Sequence, residues 1–204
     1  MVLTCSPLLT YDERVNTFLG AIMARLPLSE FSRQVGEPRE TVRGLIARGE
    51  SPLEHEKSGE GQRTYSGADL LKWALFIGLR EIGMGARPAG TAVSLSDVVG
   101  QFFKAIARGE DVADWYLISY KVLRENDSRG RFTFNWNAFG ESRDVAAILQ
   151  GETAKYGTKT QSGDTCLGLK TMAVVAVMPC YRKCQETALS AGFAMKCDGL
   201  ESVT

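Results

Sequence analysis

Residues 28–49, LSEFSRQVGEPRETVRGLIARG, read as two short helices joined by a tight turn. In the first, Leu28, Phe31 and Val35 share one face of two turns. Gly36 supplies the permissive backbone for the turn. Pro38 suits the first turn of the second helix, where its missing N–H leaves no bond unmade. Within 38–48, Val42, Leu45 and Ile46 make an inward stripe. Arg39 and Arg43 stand four residues apart on the opposite face, Ala47 continues it, and Gly49 ends the helix. That outward face is short, small in volume and positive, as entry into a DNA major groove requires. The competing reading is an ordinary solvated helix with surface arginines.

The flanking segments favour the first reading. Residues 52–65, PLEHEKSGEGQRTY, form a predicted hairpin with arms over 53–57 and 62–65 and Ser58-Gly59-Glu60-Gly61 at its tip. Lys57 and Arg63 flank the tip, within reach of backbone phosphates. Glu54, Glu56 and Glu60 share the segment and are unfavourable beside DNA. His55, the only histidine, reads as a strand side chain. Ser66-x-x-Asp69 is a capping box that opens a helix apolar on most sides. Leu70, Trp73, Ala74 and Ile77 mark one stripe; Leu71, Leu75 and Leu79 mark another, beside Phe76. A helix this apolar is expected between two layers. Upstream, Thr10-x-x-Glu13 opens a predicted helix over 11–25, broken by Pro27.

Residues 83–93, GMGARPAGTAV, read as a Gly/Ala/Pro linker. Ser94-x-x-Asp97 reads as another capping box, opening a helix over 95–108 with Val98, Val99, Phe102, Phe103 and Ile106 on its apolar side. Beyond residue 113 the pattern changes. Residues 114–123 and 131–139 read as antiparallel strands around the loop ENDSRG. Phe132, Phe134 and Trp136 alternate with polar residues. Such an aromatic run either faces a core, the favoured reading, or stacks bases. A helix over 142–156, a strand over 171–178, a helix over 179–191 and a short strand over 193–197 follow. The expected fold is a mainly α N-terminal winged helix-turn-helix domain followed by a small α+β C-terminal domain. Its bounds are 1–85 for DNA binding, 86–112 for linker and helix, and 113–204 for an effector, a partner or oligomerisation.

The chain has 204 residues, 44% of them hydrophobic, enough for a sizeable core. No apolar run approaches the ~20 residues that span a bilayer, and no basic segment precedes the short apolar stretch near the N-terminus. A cytoplasmic location is expected. The 24 Lys and Arg balance 24 Asp and Glu, which counts against non-specific coating of nucleic acid. Residues 1–85 carry 10 basic and 11 acidic side chains, so positive charge there is local. Five cysteines, four of them in the last 39 residues, read as reduced thiols. Cys180 and Cys184 fall one helical turn apart on one face and read as small buried hydrophobes, with a thiol sensor or metal site as the alternative.

In order along the chain, LSEFSRQVG, then Thr41-Val42-Arg43, Gly49, Arg63-x-Tyr65, Asp69-Leu70-Leu71 and Leu79-Arg80-Glu81-Ile82-Gly83-Met84 form a series. This series resembles the mercury-resistance-regulator (MerR) type of winged helix-turn-helix domain and, more loosely, the excisionase-like domains of the same fold. The resemblance covers residues 28–84. It implies that Arg43 of the recognition helix and Arg63 of the wing touch DNA, with Tyr65 at the wing base. Gly44 and Leu45 stand where that family carries an aromatic pair.

No constellation for catalysis is present: one histidine rules out most His-based triads, and no GxxxxGK[ST] loop or strand-linked GxGxxG occurs. Glu141 and Asp144 sit near a helix start and read as caps. The expected function is that of a bacterial or phage transcriptional regulator that recognises a specific double-stranded DNA site. It is expected to be no enzyme, without cofactor or metal. Arg39, Thr41, Arg43 and Arg48 are the expected groove contacts; Lys57, Arg63 and Tyr65 are expected on the wing side. A homo-oligomer joins two modest half-sites, and the C-terminal part takes a protein or small-molecule effector. The rival readings are an excisionase-like recombination factor and a protein-interaction adaptor that does not bind DNA.

Overall fold

A computed structural model of the chain describes residues 25–53, 64–195 and 200–202. β1 (Leu26–Pro27) leads into α1 (Leu28–Gln34), and α2 (Arg39–Ala47) follows. β2 (Thr64–Tyr65) returns to pair antiparallel with β1, Leu26 opposite Tyr65. α3 (Gly67–Glu81), α4 (Ala86–Leu95) and α5 (Val98–Ala107) come next. β3 (Trp115–Asn126) and β4 (Gly130–Glu141) form a long hairpin, then α6 (Ser142–Ala154), β5 (Thr165–Ala176) and α7 (Val177–Ser190). β6 (Phe193–Met195) and β7 (Leu200–Ser202) close the described chain as an antiparallel pair.

α3 is the spine. Its capping box is formed: Asp69 N–H donates to Ser66 Oγ at 3.3 Å, and Ser66 N–H donates to Asp69 Oδ2 at 2.8 Å. Leu70, Leu71, Trp73, Leu75, Phe76 and Leu79 are all buried, so the helix is covered on two sides, as its apolar stripes require. One side holds Phe31 of α1, whose ring meets Trp73 edge-on at 5.8 Å between centroids. On another, Gly78 lies against Val175 of β5, where a Cβ would stand 3.0 Å from the Val175 methyl.

The three long strands make an antiparallel sheet in the order β4-β3-β5. Strand alternation splits β3 between two faces. Trp115 and Leu117, with Phe139 and Val175, join the core that also holds α3 and α5. Ile118 and Val122 point to the other face, which α6 covers, and both are fully buried there.

Several expectations are corrected. The fold is α+β, not mainly α with a small α+β appendage. Three 12-residue strands and a second, short antiparallel sheet fill the C-terminal part, and one buried cluster runs from Leu26 to Met195. The expected linker over 83–93 is mostly helix α4. Its glycine and alanines read as breakers, yet they serve a close approach: a Cβ on Gly90 would stand 2.8 Å from the Glu50 carbonyl oxygen. Ser94 does not cap α5. Its hydroxyl donates to the Pro52 carbonyl at 3.1 Å, while Asp97 adopts a left-handed conformation (φ +50°) at the head of α5 without capping it. β5 and α7 begin earlier than the apolar run and Pro179 indicate, at Thr165 and Val177. The expected helix over 11–25 lies, all but Arg25, outside the described residues. So does most of the hairpin, of which Thr64 and Tyr65 remain as β2.

Candidate functional site

The α1–α2 unit is built as its apolar spacing dictates. Phe31 on α1 and Val42, Leu45 and Ile46 on α2 are buried. Val35, Gly36, Glu37 and Pro38 make the turn. Gly36 takes φ +70°, and Glu37 N–H reaches back to the Ser32 carbonyl at 3.1 Å, satisfying a carbonyl at the end of α1. Pro38 precedes α2 with φ −57°. At the far end Gly49 takes φ +62°, and Glu50 N–H bonds the Leu45 carbonyl at 2.9 Å. Both ends of α2 are therefore fixed by backbone bonds. α4 holds the exit as well, through the Gly90 approach and the Ser94–Pro52 hydrogen bond.

On this frame Arg39, Thr41 and Arg43 are all exposed. Neither Arg39 nor Arg43 makes an ion pair among the described residues. Arg33 on α1, in contrast, is held by Glu30, whose carboxyl is kept below the ordinary range chiefly by hydrogen bonds from Arg33 and Gln34. Arg48 is exposed but engaged: its Nε donates to Glu50 Oε2 at 2.8 Å, and its guanidinium lies over Gly44, where a Cβ would stand 3.1 Å away. Glu40, also exposed, is the acidic side chain within α2.

Tyr65 is not a surface contact. It is 2% exposed, and its ring stacks on Phe31 with centroids 4.3 Å apart. Its place in β2, directly opposite Leu26, turns the ring into the core. Lys57, Arg63 and His55 lie outside the described residues. Of the seven expected contacts, Arg39, Thr41 and Arg43 are exposed on α2, Arg39 and Arg43 one turn apart, and Arg48 is exposed in an ion pair with Glu50.

The aromatic run on β4 departs from the favoured reading. Phe134 is 37% and Trp136 47% exposed, so this face is not a closed core. β4 is an edge strand, and the cover from α6 leaves these rings partly open. Phe132 packs against Phe134, and the Arg124 guanidinium lies 4.7 Å from the Phe134 ring centroid. Arg124 is itself placed 3.9 Å from Asp164.

Cys180 and Cys184 share the inner face of α7, as their spacing indicates. Both are free thiols. Burial pushes the Cys180 thiol up and the Cys184 thiol up to about 12, so both stay protonated near neutral pH. Cys184 Sγ–H points to the Leu70 carbonyl at 3.6 Å. No cluster of metal-ligating side chains occurs among the described residues. At the start of α6, Asp144 accepts from the Glu141 N–H at 2.8 Å, which is a capping role.

No protein-family model matches the chain, and no curated protein matches it. Nothing in those comparisons identifies a MerR-type domain. No described helix is long and apolar enough to cross a membrane.

Proposed function

We propose that the chain is a sequence-specific double-stranded DNA-binding transcriptional regulator of MerR-like, cytoplasmic type, with α2 as the helix that enters the major groove. One observation carries this reading. α2 buries one face completely and presents Arg39 and Arg43, four residues apart and without ion pairs among the described residues, on the other. An arginine there can pair bidentately with guanine O6 and N7. Thr41 and Arg48 are assigned supporting contacts, Arg48 through its partly neutralised charge, and Lys57 and Arg63 are assigned to phosphates. With zero net charge, non-specific attraction is weak, and specific affinity rests on two copies of the chain acting on two half-sites.

The reading is tested by selecting bound duplexes from a random-sequence pool. It predicts one enriched motif with two similar half-sites. Enrichment without sequence preference, or none at all, contradicts it. The adaptor reading draws support from a different observation, the open Phe134 and Trp136 on an edge strand. It predicts a protein partner that survives nuclease treatment and is lost on Trp136→Ala. An excisionase-like factor is distinguished by bending of the selected duplex with no effect on a nearby promoter.

A further inference from the structure

β4 is an edge strand with little to guard it. It pairs with β3 on one side, and no strand lies on the other among the described residues. None of its residues is buried, and Thr133, Phe134, Asn135 and Trp136 are all exposed. Natural edges are protected against further pairing by bulges, prolines and charges, lysine above all. The opposite edge, β5, has two such devices: its register against β3 shifts twice, and Lys170 stands exposed within it. β4 keeps an unbroken register along its whole length, has no proline, and carries no charged side chain from Phe132 to Gly140.

We propose that this edge is where a second copy of the chain pairs, β4 against β4, antiparallel about a two-fold axis at Trp136. Two three-stranded sheets then become one of six strands. Strand geometry limits the register. Directly opposed residues of an antiparallel pair point to the same face, so the two-fold must pass at a residue and not between two. At Trp136 it sets Arg131 of each copy opposite Glu141 of the other, so the two charged side chains of the strand are complementary. Arg131 already holds Glu125 at 3.2 Å, and Glu141 holds Arg143 at 2.9 Å. The pairing joins these into a row of alternating sign. On the face that α6 covers, Phe134 opposes Ala138, Phe132 opposes Gly140 and the two Trp136 rings meet, a large side chain against a small one on either side of an aromatic pair. The neighbouring axis at Asn135 turns Glu141 to Arg129 but leaves Arg131 opposite Phe139; the one at Asn137 brings Arg131 toward Arg143.

There is room for this arrangement. α6 touches all three long strands and so sits over the middle one, β3. The two β3 strands would lie three strand spacings apart, about 14 Å. That exceeds the about 8–10 Å of helices in contact, so the two α6 helices do not collide sideways, and the rings of Phe134 and Trp136 occupy the gap. The assignment rests on the sheet and not on DNA binding, although it supplies the two copies that paired half-sites need.

The test is sedimentation of the full chain, without DNA, over a range of concentrations. The parent is expected to dimerise. Trp136→Lys sets two like charges opposite each other and is expected to weaken the dimer at least about tenfold, with an unchanged far-ultraviolet spectrum, since Trp136 is already 47% exposed. Trp136→Glu is expected to do the same. A mixture of the two variants is expected to associate at least about threefold more tightly than either alone, a rescue that damage to the fold cannot produce. Register is read by oxidising Trp136→Cys and Phe134→Cys with copper phenanthroline, with the parent as background. Cysteines at 136 are directly opposed and are expected to form a disulfide between copies, whereas those at 134 stand four positions out of register and are not. The proposal is overturned if the parent stays monomeric or holds only a different protein at this edge, if Trp136→Lys dimerises as the parent does, if the mixture gains nothing, or if Phe134→Cys cross-links as readily as Trp136→Cys. A chain that dimerises in this way but selects no duplex leaves the proposal standing and removes the DNA reading alone.

Discussion

Arg43 and Arg48 are five residues apart, yet the structure gives them different work. Arg43 stands free on the outer face of α2 among the described residues, while Arg48 is held by Glu50 across the end of the helix. Arg43→Ala is therefore expected to weaken binding to a selected duplex by about 1–3 kcal/mol, and Arg48→Ala by distinctly less, as read by fluorescence anisotropy. The sequence places both arginines on the helix but says nothing of Glu50, because that pairing is made after the helix has ended at Gly49. Tyr65 shows the same limit. Its position in the motif series is legible, whereas its burial follows from pairing with Leu26, 39 positions upstream. Backbone strain is another residue-scale effect. Asp97 holds φ +50°, a region that disfavours side chains by roughly 1–2 kcal/mol. Asp97→Gly is expected to raise stability by about 1 kcal/mol, measured as a higher urea midpoint at unchanged slope. An unchanged or lower midpoint would show that the Gln101–Asp97 hydrogen bond outweighs the strain.

At the scale of elements, patterns that depend on neighbours along the chain were legible, and those that depend on distant cover were not. The apolar stripes of α1, α2 and α3 and the alternation in β4 are local and legible in the sequence. Period 2 in Phe132, Phe134 and Trp136 marks one face of a strand, but not whether anything lies over it. Since β4 is an edge, two of the rings remain open. α4 was hidden because glycine and proline suggest a linker; the reason for Gly90 is the backbone of residues 50 and 51 lying against it. Gly90→Val is expected to destabilise the fold by about 1–3 kcal/mol through overpacking, and to perturb α2 by displacing its exit. Thermal unfolding together with amide chemical shifts in α2 would show both effects. The loop before β5 supplies a pH test. Asp164 accepts from Asn126 Nδ2 and Ser162 Oγ, both at 2.8 Å, and these bonds, with Arg124 and Arg129 nearby, hold its carboxyl below the ordinary range. A depressed folded-state pKa contributes stability that is fully present above the unfolded value, near ~3.9, and is lost as pH falls through the folded value. Asp164→Asn is expected to be less stable than the parent at pH 7 and to converge with it as pH drops below that window. A constant difference across pH would remove the carboxylate from this role.

The whole molecule is built on one core. The cluster from Leu26 to Met195 ties the α1–α2 unit to the sheet and α7 through α3. That continuity was not legible, because a change of texture near residue 113 reads as a boundary, while Val175 against Gly78 is a contact between residues 97 positions apart. One consequence is that α2 is seated on a continuous packed core, an arrangement that suits recognition with little ordering on binding.

The account stands on α2 as a groove-binding helix. Its most direct measurement is the affinity of the parent chain and of Arg43→Ala for a duplex selected from random sequence, across a series of salt concentrations. The account predicts that log affinity of the parent falls steadily with log salt, and that Arg43→Ala lowers affinity for the selected duplex more than for a scrambled one. A parent affinity that ignores salt, or an Arg43→Ala protein that still distinguishes the two duplexes as the parent does, would contradict it.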